Sequence, residues 1–167
     1  MGKEKQGSTF EGLIQKLNSS KIDEKKKAVI SLGGLRDKRA FEPIFEIVEN
    51  DEEDTYVRIQ AVYTLGKIGD LQSLEKIIKV LQEDEKWMVR KFAVEALVNL
   101  KDSKAIEVLV QVLKNDEMHY VRGAAAKALG DLKAKQTVEI MEDVLYGETE
   151  QYTIKNMREA IDKLRKS

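Results

Sequence analysis

The sequence has no cysteine. That excludes disulfides, thiolate metal sites and cysteine nucleophiles, and it fits a cytoplasmic protein. It has one proline and only 6% aromatic residues, a scarcity that favours helix throughout. The single histidine, His119, has no His-Glu companion, so a metal or cofactor role is not expected of it. No P-loop, no GxGxxG and no Ser/His/Asp arrangement is present. No apolar run approaches a membrane span, and no apolar signal core follows Met1-Gly2-Lys3-Glu4-Lys5. A surplus of one charge is also missing: 29 basic and 30 acidic residues leave a net charge of −1. Non-specific nucleic-acid binding needs a basic surplus, so this balance counts against it.

What is present is a repeat. The stretch Val57-Arg58 … Ala61 … Leu65-Gly66 … Ile68 … Asp70 returns as Val89-Arg90 … Ala93 … Leu97 … Leu100 … Asp102. It returns again as Val121-Arg122 … Ala125 … Leu129-Gly130 … Leu132, each time 32 residues on. A fixed period of this size is the signature of a solenoid. With 42% hydrophobic and 35% charged residues, the 167-residue chain suits one domain with a sizeable core.

Residues 1–7 read as a polar, flexible tail, and residues 8–20 as a leading helix that Asn18-Ser19-Ser20 breaks. Ser8 and Glu11 have capping-box spacing. Four repeats follow, at about 22–54, 55–86, 87–118 and 119–150, and 151–167 form a capping helix. Each repeat reads as two helices. In the second repeat Val57, Ala61, Leu65 and Ile68 line the first helix, and Gly66 and Gly69 end it. Asp70 stands at an N-cap position, and Leu74, Ile77, Ile78 and Leu81 make the apolar stripe of the second helix. Asp84 caps the next helix. In the first repeat Leu35 aligns with Ile68, Lys25 takes the arginine position, and Pro43 places the second helix start near Phe41. In the fourth, Ala134 replaces the capping aspartate, so a displaced turn is expected, and Glu142 interrupts the stripe.

The pattern Val-Arg-x-x-Ala-x-x-x-Leu-Gly-x-(Ile/Leu)-x-Asp resembles the HEAT-repeat proteins, and among them the short HEAT-like repeats of phycobilisome lyases. It spans about residues 22–152. The resemblance implies an all-α, right-handed α-solenoid of stacked antiparallel helix pairs, with the second helices on the concave face.

Three ladders are candidate sites. Arg58, Arg90 and Arg122 head the buried face of the first helices. Asp84, Asp116 and Glu148 lie in turns at the same end, so the ladder either fixes repeat register or binds a ligand. Tyr56, Trp87, Tyr120 and Tyr152, flanked by His119, form an aromatic row at the starts of first helices, beside the ends of second helices. That places them on the rim of the concave groove, either covering apolar layers or anchoring a partner. Ile47, Val80, Val112 and Val144 either pack between repeats or form an apolar strip.

The sequence therefore predicts a non-catalytic scaffold that binds a protein partner along its concave face or rim. A subunit of a chromophore-lyase-like modifying enzyme is the alternative. A HEAT-like nucleic-acid-binding or DNA-repair protein is a third, weaker reading, because the second helices mix Glu and Lys on their outward positions.

Overall fold

The computed structural model describes residues 9–70 and 72–166. Among these the chain is all helical, and the ten α-helices pack in consecutive pairs. A leading helix, α1 (Phe10–Leu17), precedes them. The first helices of the pairs are α2 (Ile22–Leu35), α4 (Thr55–Ile68), α6 (Trp87–Leu100) and α8 (His119–Asp131). The second helices are α3 (Phe41–Glu49), α5 (Gln72–Glu83), α7 (Lys104–Asn115) and α9 (Val138–Gly147), each packed chiefly on the helix that follows it, and α10 (Gln151–Lys166) packs on α8 and α9.

The core runs through the array as one continuous apolar layer. Ala61, Ala93 and Ala125 are fully buried at the middle of successive first helices, and Leu65, Leu97 and Leu129 lie a turn further on. Small residues there let first helices approach closely. A close approach falls at Gly66, where an added Cβ would sit 2.7 Å from the Ala96 Cα. Gly66 thus lies inside α4 as a packing residue and does not end the helix. Gly69 ends it, at φ 73°, a conformation that costs an L residue about 1–2 kcal/mol. The same register in the other repeats holds Arg36, Lys101 and Lys133, also left-handed, at φ 52°, 55° and 56°.

Local chemistry sets the helix ends. Ser8 lies outside the described residues, as does the polar tail. The N-cap of α1 is Thr9, whose Oγ1 accepts from the Gly12 amide at 3.1 Å. Asp54 caps α4 by accepting from the Tyr56 and Val57 amides. Asp70 accepts from the Gln72 amide and Asp102 from Lys104, each at the start of a second helix. Asp84 does not cap α6 directly: it accepts from Lys86, one residue before the helix begins. Pro43 falls in the first turn of α3, where its missing N–H is not needed. The fourth repeat turns through a short 3₁₀ segment, Lys135–Thr137, with Ala134 buried and the Thr137 hydroxyl donating to the Ala134 carbonyl at 2.7 Å.

Two pattern positions leave the core. Leu35 is 51% exposed, although its equivalent Ile68 is buried. Glu142 faces out and pairs with Arg165 of α10, which explains how the stripe of α9 tolerates a charge. Of the valine ladder, Ile47 and Val112 are buried, and Val80 and Val144 pack half-buried against the core. These residues belong to the core or pack against it and leave no exposed strip.

Candidate functional site

The site is built on the turns between repeats. Arg58 in α4 is buried, and its Nε and Nη2 donate to the Val48 carbonyl at 3.0 and 2.8 Å. Its Nη2 also donates to Asp84. Arg90 donates through Nε and Nη2 to the two oxygens of Asp116 at 2.9 and 3.0 Å, and through Nη1 to the Asp84 carbonyl at 2.9 Å. Arg122 repeats this with Glu148, at 2.8 and 2.9 Å, and with the Asp116 carbonyl at 2.9 Å. Each planar guanidinium therefore clamps the turn before it and the turn after it. The bidentate bond to Arg122 holds the Glu148 carboxyl below the usual carboxylate range. The same bonds push the guanidinium groups of Arg122 and Arg90 up. In the first repeat Lys25 pairs with Glu53 instead.

The carboxylates pass the constraint on. Besides its arginine, Asp84 accepts from the Lys86 amide, Asp116 from Met118, and Glu148 from Thr149 and Glu150. These amides lie within three residues of Trp87, Tyr120 and Tyr152. The clamp thus fixes the backbone from which the rings project.

The rings meet. Trp87 stacks on Tyr120 with centroids 5.2 Å apart and planes 22° from parallel. Tyr120 also touches Tyr152 at 5.1 Å and the His119 imidazole at 4.1 Å. Tyr152 lies over Gly123, where a Cβ would come within 2.6 Å of the ring. The hydroxyl of Thr153 donates to the His119 carbonyl at 2.8 Å and locks α10 to α8 beside the cluster. Tyr120 and Tyr152 remain 40% and 36% exposed, and Trp87 is half-buried against the core. Tyr56 stands outside the cluster at 62% exposure. Its register partner in the third repeat is Met88, not a ring, so the stack stops at Trp87.

Tyr152 walls a trough floored by Val94, Val98, Ala124 and Ala128 between α6 and α8. Of the row only Tyr152 lines this trough, which lies where α6, α8 and α10 pack side by side. The sequence also missed this trough. Its signal was the run Ala124-Ala125-Ala126, which leaves a recess where α4 carries Gln60 and α6 carries Phe92.

Exposed acids stand on the turns that precede the rings. Glu85 is exposed and has no ion pair among the described residues. Glu117 is 82% exposed with one oxygen 3.3 Å from Arg90, and Glu150 lies 3.9 Å from the His119 imidazole. Among the described residues no group of three or more His, Asp or Glu side chains converges as metal ligands would. No helix among them is long and apolar enough to cross a membrane.

An all-helical array of consecutive pairs, clamped turn to turn at a 32-residue period, defines a helical-repeat protein. The family model for HEAT repeats matches residues 10–87 and 74–162. The chain belongs to the HEAT-repeat proteins. No curated protein matches it. Among solved structures it is similar to a chain in the complex of CpcE and CpcF of phycocyanin lyase from Nostoc sp. PCC7120, at 21% identity and a TM-score of 0.72. That match covers 95% of this chain and 66% of the other, so this chain spans under two thirds of its length. Human deoxyhypusine hydroxylase also matches, at 15% identity, 95% and 85% coverage and a TM-score of 0.38.

Proposed function

We propose that this protein is a non-catalytic interaction module that holds a protein partner along the edge where its first helices begin. The observation that carries this reading is the joined row of Trp87, Tyr120 and Tyr152, fixed at the repeat pitch by the arginine clamps and still open to solvent. Aromatic side chains lose little freedom on contact and dominate binding hot spots. His119 flanks the row at Tyr120, and Tyr56 stands apart from it in the preceding repeat. The fold likeness to a chain of the CpcE–CpcF complex supports a protein partner and favours a second reading, in which the chain is one subunit of a chromophore-lyase-like modifying enzyme. The cysteine-free sequence supports a cytoplasmic setting.

The test is capture of the partner from source lysate, identification by mass spectrometry, and titration of that partner against Trp87→Ala and Tyr120→Ala. Each variant should weaken binding by about 2 kcal/mol or more. Full affinity in both folded variants would reduce the row to a lid on the core.

A further inference from the structure

We propose that the aromatic edge takes a cationic segment of its partner, one carrying arginine or lysine side chains; this rests on the partner-binding reading above. Three observations converge. The first is the chemistry of the rings. Tyr120 and Tyr152 remain partly exposed within the stack, and Tyr56 presents an exposed ring with no aromatic neighbour among the described residues. A guanidinium or ammonium is drawn to such faces, more strongly as it is desolvated.

The second is the placement of acids. Every ring follows an exposed carboxylate by two to four residues: Glu52 before Tyr56, Glu85 before Trp87, Glu117 before Tyr120 and Glu150 before Tyr152. Glu52 and Glu85 have no ion pair among the described residues, and Glu117 and Glu150 hold theirs at 3.3 and 3.9 Å while remaining exposed. Against them stand Lys86, His119 beside Tyr120, and Lys91 and Lys127, which line the trough with Tyr152.

The third is that the nearby arginines do not cancel this field at the surface. Arg58 and Arg90 are buried and Arg122 is half-buried, and each already faces a buried carboxylate, Asp84, Asp116 or Glu148. Exposed acids above a neutralised layer leave a negative rim around the rings. An anionic ligand would be repelled there, whereas a cationic side chain meets a carboxylate and a ring together.

Trp87 is the only tryptophan, so its fluorescence reports from inside the site. The probes are three short peptides of equal length, alternating glycine with arginine, glutamine or glutamate, titrated into the full chain. The arginine peptide should shift Trp87 emission saturably. Its affinity should fall at least about tenfold in about 0.5 M salt and by a similar factor in Glu85→Gln/Glu117→Gln. The paired change Glu107→Gln/Glu139→Gln on the second helices should leave it unaltered. Equal loss in both double variants means diffuse attraction and overturns the proposal. So does the absence of any arginine-peptide response. Binding of the glutamine or glutamate peptide that Tyr120→Ala abolishes would overturn the cationic assignment while keeping the row as a binding edge. A peptide-independent shift of Trp87 that grows with protein concentration would place a second copy there and overturn it equally.

Discussion

Arg90 and Asp116 lie 26 residues apart, and both nitrogens of one guanidinium edge meet both oxygens of one carboxylate. Both side chains are under one tenth exposed. Removing one partner strands the other's charge away from water. Arg90→Ala should therefore cost about 3 kcal/mol. Arg90→Lys keeps the charge but loses the fork, and should recover only part of that. Urea midpoints decide it; a neutral Arg90→Ala would mean that the arginine serves a ligand.

Glu148 makes the pair with Arg122 pH-dependent. Its folded pKa lies below the ordinary 4.5. A group depressed on folding contributes stability that is complete above the unfolded value and lost as pH falls through the folded one. Stability should hold from neutrality to about pH 5 and then drop, and Glu148→Gln should flatten that drop. Denaturant melts at stepped pH on both proteins check it.

Two glycines should respond oppositely to the same change. Gly66→Ala pushes a methyl into the Ala96 backbone, which cannot swing away, and should destabilise by about 2 kcal/mol. Gly34, inside α2, has open space within 4 Å of its Cβ position. Gly34→Ala should stabilise by up to about 1 kcal/mol through helix propensity. Thermal melts of the pair separate packing from backbone entropy.

Lys101 carries a left-handed backbone at φ 55° without the freedom that glycine has. Lys101→Gly should raise stability by about 0.5–1 kcal/mol. An unchanged melting temperature would mean that the lysine stem contributes packing of equal size.

Trp87 stacks on Tyr120 and also touches the core, so Trp87→Ala should lower stability measurably. It should still cost less than Leu97→Ala, for which about 2–5 kcal/mol is typical of a fully buried leucine. Calorimetry on both variants ranks them.

Much of the fold could be read from spacing, because a solenoid writes its period into the chain. The acids facing the arginines were also legible: a residue 26 positions on returns to the same end of the array. What the sequence hid depends on geometry that pattern does not encode. Gly66 looks like a helix end, yet the close approach of α6 requires it within α4. The left-handed turns at Arg36, Lys101 and Lys133 carry no glycine to announce them. The rings were identifiable as a row, but the face they open onto depends on which helices pack side by side. Their contact ends at Trp87 because Met88 breaks the register.

The arginine clamps also make the edge a ruler. The turns before Tyr120 and Tyr152 are each tied to the preceding repeat by a bidentate bond and the turn before Trp87 by the single Arg58–Asp84 bond, and neighbouring helix axes stand about 8–10 Å apart. Along this edge the joined rings follow one another at 5.2 and 5.1 Å between centroids. A partner that touches several rings must present its side chains in matching steps, and one with the right chemistry at the wrong interval can satisfy only a single mark. Selectivity on such an edge is set by length as much as by charge.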